Sequence, residues 1–307
     1  MYAYFAQRIA ATIPVLLGVS VLVFAMLQLV PGDPVQLMLG EFQTTPEQIA
    51  RLRSQLHLDD PLPVQFGRFV WGAVRGDLGT SIRTRRPVTA EIADNLPSTL
   101  QLAVAGLLVA GALGLTLGVV AAVNQHSWLE VGSMLVALLG VSVPSFWLGL
   151  LLLFGLSLRL RLLPATGGGD LAHLVLPALT LGLGAAAILA RLTRSSMLEV
   201  LNQEYVTTAR AKGLSEWVVI VRHALKNGLI PVVTLFGLQF GQLLAGTFVV
   251  ETVFARPGLG RLVIDGILNK DFPMVQGVVL VVAVSYVVVN LGVDLVYAVL
   301  DPRIRYA

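Results

Sequence analysis

Histidine is the residue most often used as a general base or metal ligand, and this chain of 307 residues has four of them. These are His57, His126, His173 and His223, which lie far apart in the sequence and outside every long apolar stretch. The sequence has neither a His-Glu-x-x-His pair nor a Gly-x-Ser-x-Gly turn. We therefore predict no catalytic residue and no metal site, and an intramembrane hydrolase is disfavoured.

Nucleotide chemistry is disfavoured for a similar reason. A chain that hydrolyses ATP itself needs a phosphate-binding loop with Gly-Lys before Ser or Thr, and no Gly-Lys pair is present. The run Gly258-Leu259-Gly260 begins like a dinucleotide fingerprint but lacks the third glycine, so we interpret it as a turn. The chain is expected to bind no cofactor, and any energy for transport must come from elsewhere.

Polar side chains inside two apolar stretches are the remaining candidates for a site. They are Gln239, Gln242, Thr247, Ser285 and Asn290. In a membrane such residues either hydrogen-bond between helices or line a passage, and the pattern leaves both interpretations open. The acids at this level, Glu251 and Asp294, lie near the ends of their stretches. An uncharged membrane centre disfavours an ion-coupled secondary transporter, which usually keeps ionisable groups there.

The composition of the chain is that of a membrane protein. It is 56% hydrophobic and only 13% charged, with a mean hydropathy of +0.81, whereas soluble domains are about 25% charged. Stretches long enough to cross a bilayer as helices cover residues 9–30, 96–123, 131–157, 174–192, 228–250 and 275–300. We predict an all-α polytopic membrane protein with six transmembrane helices, in which Pro144 and Pro231 bend or start their helices.

The basic residues predict the orientation, because cytoplasmic loops are enriched in Lys and Arg. With the N-terminus inside, the cytoplasmic segments hold Arg8, Arg191, Arg194, Arg210, Lys212, Arg222, Lys226, Arg303 and Arg305. The two short external loops hold Arg159, Arg161, Arg256, Arg261 and Lys270. Both termini are therefore predicted in the cytoplasm. The small net charge of +3 fits such loops better than binding to nucleic acid.

The predicted spans divide the chain into three parts. Residues 1–30 form a short tail and the first transmembrane helix, residues 31–95 an external segment, and residues 96–307 a core of five helices. The external segment has a helix start at residues 45–48. Further apolar positions follow at helical spacing, namely Phe66, Val70 and Val74, then Val88, Ile92 and Leu96. We expect a small helical cap on the membrane domain or a contact with an external partner.

The loop at residues 193–227 is too long for a simple connection and carries most of the predicted cytoplasmic basic residues. Its pattern predicts a helix over 202–212, a left-handed stop at Gly213, an N-cap at Ser215 and a second helix over 216–227. The residue pattern alone fits two structures equally well. One is a rigid pair of short helices that contacts a partner, and the other is a solvated or lipid-facing hairpin.

This loop carries a family resemblance. Residues 205–213 (YVTTARAKG) and 222–227 (RHALKN) resemble the cytoplasmic loop of ATP-binding-cassette importer permeases of the dipeptide, oligopeptide and nickel subfamily, closest to the first permease subunit of dipeptide systems. Residues 31–34 (PGDP), 142–149 (SVPSFWLG), 251–254 (ETVF), 257–260 (PGLG) and 301–305 (DPRIR) extend the resemblance over the whole chain. Thr207 and Thr208 replace the usual Glu-Ala, and Lys226 replaces a frequent proline, which favours the peptide branch.

The resemblance implies the type I importer permease fold in a bacterial inner membrane. Two permease subunits, here expected to be a heterodimer, would form the channel for dipeptides or oligopeptides, with nickel chelates or glutathione as alternative cargo. Two ATPase subunits, or one fused ATPase, would bind ATP and magnesium, and an external solute-binding protein would deliver the cargo. An ATPase would be contacted by a coupling helix, for which the candidate residues are Tyr205, Thr208, Ala209, Arg210, Lys212, Gly213 and Arg222.

Overall fold

The computed structural model describes residues 2–29 and 59–300, together with 47, 50, 53 and 54. Its helices, numbered α1 to α12 in chain order, are Tyr2–Leu29, Leu62–Val74, Val88–Val123, Trp128–Ser142, Ser145–Leu152, Ala172–Leu201, Glu204–Ala211, Glu216–Val218, Leu225–Gly228, Ile230–Val253, Leu259–Leu268 and Phe272–Leu300. A π-helical turn, Leu153–Arg159, extends α5, and another, Val219–Ala224, joins α8 to α9.

Each predicted span corresponds to helix in the structure. Four helices, α3, α6, α10 and α12, are individually long and apolar enough to cross a membrane. A fifth span is possible if α4 and the helical segment Ser145–Arg159 are counted as one bent pair. The apolar part of α1, Ala10–Met26, is shorter. The predicted all-α membrane fold is therefore confirmed.

The predicted span over residues 131–157 is bent at Pro144 in the structure. The chain bends there by 110° between α4 and α5. Pro144 lacks a backbone N–H and pushes the preceding residue out of the helical region, and Val143 is accordingly extended, at φ −94° and ψ 124°. Pro231 instead lies in the first turn of α10, where a missing N–H costs nothing. Both prolines thus act as predicted.

The chain forms two compact units. Among the described residues, the first unit contains those up to Pro97 and Gly258–Leu291, and the second contains Ser98–Pro257 and the residues of α12 from Gly292 onward. In the second unit α6 packs against α4, α5 and α10. Its buried apolar core includes Leu102, Leu176, Leu189, Val250 and Phe254.

Glycines allow helices α3 and α6 to approach each other closely. A Cβ atom added to Gly114 would lie 2.6 Å from Leu189 Cβ, and one added to Gly118 would lie 2.7 Å from the Ala190 carbonyl oxygen. Both contacts are shorter than real Cβ atoms make. Small residues of this kind drive helix association in lipid, where there is little hydrophobic force between helices.

The first unit joins α1 to the segment before α3. The rings of Phe24 and Phe66 pack edge to face with centroids 5.5 Å apart, and Phe66 lies on α2, the predicted amphipathic helix. The predicted run from Val88 into the second span is confirmed as the continuous α3. The predicted helix start at residues 45–48 and the motif at 31–34 lie outside the described residues, apart from residue 47.

Candidate functional site

Residues 202–229, which we call the helical loop, are the first candidate site. Within it, α7 is two-sided. Val206 and Ala209 are buried and pack on Val219 and on the end of α6. Tyr205 and Thr208 lie on the exposed side. The inner face therefore anchors α7 to its own chain, and the outer face is available to another molecule.

The structure places Ala209 on the inner face of α7. The side chain is only 6% exposed, because Val206 and Ala209 are three positions apart and share that face. Ala209 therefore packs against its own chain in this structure. The three-residue spacing between Val206 and Ala209 was the sequence signal for this burial.

Gly213 ends α7 in the predicted left-handed conformation, with φ +78°. Its N–H donates to the Arg210 carbonyl at 2.9 Å, and the Leu214 N–H donates to the Ala209 carbonyl at 3.4 Å. This pair of bonds is the Schellman motif, which satisfies carbonyls at a helix end. The chain reverses there, and nothing lies within 4 Å of a Cβ added to Gly213.

Side-chain bonds hold the two arms of the helical loop together. The Arg210 guanidinium donates from Nε to Glu216 Oε1 at 2.8 Å. The Tyr205 hydroxyl accepts from the Asn227 amide at 2.8 Å. The predicted helix over 216–227 is present, but its middle is the π-helical turn. The helical loop is thus a compact helical projection, which we also call the knob, held together by these side-chain bonds, and not an extended connection.

Positive charge remains on the outer side of this knob. Lys212 and Arg222 are exposed, and within the part of the chain that the structure describes neither forms an ion pair. Arg210 is already paired with Glu216, so a partner carboxylate would have to compete for it. The exposed side of the helical loop therefore presents two cations together with Tyr205 and Thr208.

The polar residues of the apolar spans are separated into two groups by the structure. Gln239 and Thr247 are buried in the second unit, and Gln242 is exposed there. Gln239 Nε2 has no hydrogen-bond partner among the described residues. The Thr247 and Ser285 hydroxyls donate to Leu244 and Val281 in their own helices. Ser285 and Asn290 are half-buried in the first unit.

A buried polar cluster at the end of α10 was missed by the sequence analysis. The Thr99 hydroxyl donates to Glu251 at 2.6 Å, and Arg256 donates to Gln101 at 2.7 Å. Glu251 is fully buried and Arg256 is 3% exposed. Burial lowers the pKa of Arg256, and the negative charge of Glu251 opposes that shift. An acid at the end of an apolar span followed by an arginine five residues later was the available signal.

An ion pair that the sequence did not indicate joins the start of α4 to α6. The Arg194 guanidinium donates to Glu130 from Nε at 2.8 Å, and Glu130 also accepts from the His126 backbone N–H. From the sequence alone, Arg194 indicates only a basic residue in a cytoplasmic loop. In the folded chain it is committed to an internal ion pair.

Comparison with known proteins identifies this architecture. Residues 114–306 match the family model described as binding-protein-dependent transport system inner membrane component. Residues 1–103 match the N-terminal model of the same kind of membrane component. The chain belongs to this permease family.

Curated relatives match this permease over its whole length. The glutathione transport system permease protein GsiC of Salmonella paratyphi A is 45% identical over 306 residues, covering 100% of both chains. The dipeptide transport system permease protein DppB of Escherichia coli K12 is 41% identical, covering 100% of this chain and 99% of the relative. This permease is thus a membrane component of an ATP-binding-cassette importer.

Solved structures show the same fold. The inward-facing MetNI methionine ABC transporter matches with a TM-score of 0.59 at 16% identity, covering 68% of this permease and 96% of that chain. An amino acid ABC transporter matches with a TM-score of 0.53 at 13% identity, covering 70% and 94%. At these identities the likeness concerns architecture alone, and it supports the type I importer permease fold.

Proposed function

We propose that this permease forms half of the passage through which a bacterial importer takes up short peptides. The observation that carries this proposal is the full-length similarity to a dipeptide permease, at 41% identity, and to a glutathione permease, at 45%. Glutathione is itself a tripeptide, so both relatives point to small molecules with peptide bonds and free carboxylates. Dipeptides and oligopeptides are the first candidate cargo, and glutathione is the second.

The helical loop is the proposed contact with an ATPase. Closure of two ATPases would draw two such knobs together and switch the permeases between inward-facing and outward-facing states by rigid-body motion. The packing supports transmission of that motion, because α7 rests on the end of α6 and the Ser196 hydroxyl of α6 donates to the Gly228 carbonyl at 2.8 Å. A displaced knob therefore moves two long helices, α6 and α10.

The partners follow from this role. The second half of the passage is a homologous permease in a heterodimer, and ATP and magnesium are held by the separate or fused ATPase subunits. An external binding protein delivers the cargo. Both termini lie in the cytoplasm, on the side of the ATPases, as the count of basic residues indicates.

The proposed passage binds its cargo weakly. Gln239 is the strongest candidate for a lining residue, because its Nε2 is buried without a partner among the described residues. Thr247 and Ser285 offer less, because their hydroxyls already donate within their own helices. A few neutral donors suit a conduit that must release what it carries, and specificity then resides in the external binding protein.

The cargo class is tested by calorimetry of the cognate external binding protein with dipeptides, glutathione and a nickel chelate, followed by uptake of each ligand into cells. We expect heat on binding of peptides or glutathione, and uptake that is lost when the permease gene is deleted. Binding and permease-dependent uptake of the nickel chelate alone would overturn the peptide proposal.

The docking role is tested by cross-linking in the assembled transporter. A cysteine at Thr208, on the exposed face of α7, should cross-link to an ATPase subunit through a short bifunctional reagent. A cysteine at Thr252 is the matched control, because this exposed threonine lies at the far end of α10 from the helical loop. Cross-links from Thr252, or none from Thr208 in an active complex, would contradict the docking role.

A further inference from the structure

The first unit contains an apolar cavity beside α1. Its volume is about 260 Å³, and its walls are almost entirely apolar. Val23 and Met26 of α1 form one side, and Ile267, Val275 and Gln276 form part of the other. A pocket of this size is smaller than a typical site for a drug-sized ligand, and it suits a narrow apolar chain.

The mouth and the floor of the cavity differ in exposure. Ile267 is 56% exposed and Met26 is 47% exposed, whereas Val23 is 2% exposed and Val275 is 7% exposed. The Gln276 amide, a polar side chain in this wall, donates to the Val23 carbonyl at 3.2 Å. The cavity is therefore open at the rim and closed by apolar side chains inside.

Its depth in the membrane is set by the ends of two helices. Lys270 lines the cavity and lies two residues before Phe272, where the apolar span of α12 begins. A long basic side chain at the start of a span reaches the level of the lipid headgroups. Val275 lies in the first turn of the same span, and Met26 lies close to the end of α1. The cavity therefore runs from headgroup level into the hydrocarbon.

The rim carries a positive charge. Lys270 is exposed and forms no ion pair with the described residues. The neighbouring Asp271 is engaged elsewhere, because its carboxylate accepts bonds from the Ser81 hydroxyl and the Ile82 N–H. The Arg83 N–H also donates to Asp271, so a loop with a further exposed cation is docked beside Lys270.

We propose that this cavity binds one anionic phospholipid, with its phosphate on Lys270 and one acyl chain against Val23, Met26 and Val275. Charge complementarity selects a lipid over a neutral apolar partner, because a cation at headgroup level meets a phosphate at the same depth. The occupant bridges α1 to α11 and α12, which form the opposite wall of the cavity.

The test is native mass spectrometry of the assembled transporter, purified in mild detergent and incubated with phosphatidylglycerol or phosphatidylcholine. We expect one phosphatidylglycerol to stay bound per copy of this chain, and less phosphatidylcholine. Lys270→Ala should reduce bound phosphatidylglycerol about five-fold, the factor corresponding to about 1 kcal/mol per cation at an anionic surface. Ile267→Trp, which fills the exposed mouth, should reduce the binding of both lipids.

Arg159→Ala is the matched control, because Arg159 is an exposed cation that does not line the cavity. This variant should retain lipid as the unaltered protein does. Equal retention of phosphatidylglycerol by Lys270→Ala and the unaltered protein would overturn the proposal, as would equal retention of both lipids. A cross-link from a cysteine at Ile267 to the second permease, in place of a lipid, would also overturn it.

Discussion

The Asn227 side-chain amide donates a hydrogen bond to the Tyr205 hydroxyl at 2.8 Å and so joins the two arms of the helical loop. The same hydroxyl lies 3.5 Å from the His223 carbonyl oxygen, at the limit of a hydrogen bond. At the other end of the loop, the ion pair between Arg210 and Glu216 spans the turn at Gly213. These two braces allow a force on α7 to move the knob as one body.

Removing the Tyr205 hydroxyl should loosen that brace. Tyr205→Phe is expected to lower stability by only about 0.5–1.5 kcal/mol, the usual net value of one hydrogen bond, while lowering the number of cargo molecules imported per ATP hydrolysed. Uptake and phosphate release in proteoliposomes measure that ratio. Tyr286→Phe is the control, because its exposed hydroxyl forms no hydrogen bond within the described residues. An unchanged ratio in Tyr205→Phe would show that the brace is dispensable.

The turn at Gly213 should tolerate asparagine better than valine. No atom lies within 4 Å of an added Cβ, so only the positive φ penalises substitution. A left-handed conformation costs about 1–2 kcal/mol for most residues, and asparagine adopts it more readily. Gly213→Val should therefore reduce uptake strongly with ATPase subunits still bound, and Gly213→Asn should stay near the unaltered rate. Equal uptake by both variants at equal expression would refute this role of the turn.

The buried bond from Thr99 to Glu251 should contribute more to stability than an exposed threonine bond. Thr99→Val removes one hydrogen bond to a buried carboxylate, at a cost of about 1–3 kcal/mol. Thr252→Val is the comparison, because the Thr252 hydroxyl is exposed and donates only within its own helix. Thermal unfolding of the purified permease should show a lower midpoint for Thr99→Val alone. Similar midpoints for the two variants would contradict the structural role of the cluster.

The close contact of α3 with α6 should be sensitive to a single methyl group. A Cβ at position 118 would lie 2.5 Å from Thr193 Cβ, and overpacking of this kind costs about 1–3 kcal/mol. Gly118→Ala should therefore lower the unfolding midpoint. Gly132→Ala, in open space on α4, should leave it unchanged or raise it slightly, since alanine favours a helix. A lower unfolding midpoint for Gly132→Ala than for Gly118→Ala would show that α3 and α6 are not tightly packed at Gly118.

The sequence was sufficient for the membrane spans and for the turn at Gly213, but not for α11, which begins at Leu259 where the sequence was interpreted as a turn. Hydropathy locates the membrane spans, because a chain that crosses lipid must satisfy its backbone hydrogen bonds internally. A glycine directly after a short helix is a local signal of a left-handed helix end. The bend at Pro144 was also local, but its angle of 110° depends on packing against α6, which a span prediction does not contain.

Pairings between distant residues were beyond the sequence. Thr99 and Glu251 are 152 positions apart, and no single chain pattern indicates that they meet. Arg194 and Glu130 are 64 positions apart and each looked like an ordinary charge near a span end. Ala209 was placed on the docking surface by its motif, although its spacing from Val206 already indicated the buried face.

ATP hydrolysis on partner subunits is expected to drive uptake through this permease. This dependence on ATP is tested most directly in proteoliposomes holding the assembled transporter, with the binding protein and a labelled peptide on the external side and ATP on the side of the helical loop. We predict uptake that requires ATP and survives collapse of the proton gradient by a protonophore. Uptake that continues without ATP and stops when the proton gradient collapses would contradict ATP-driven import and favour an ion-coupled transporter.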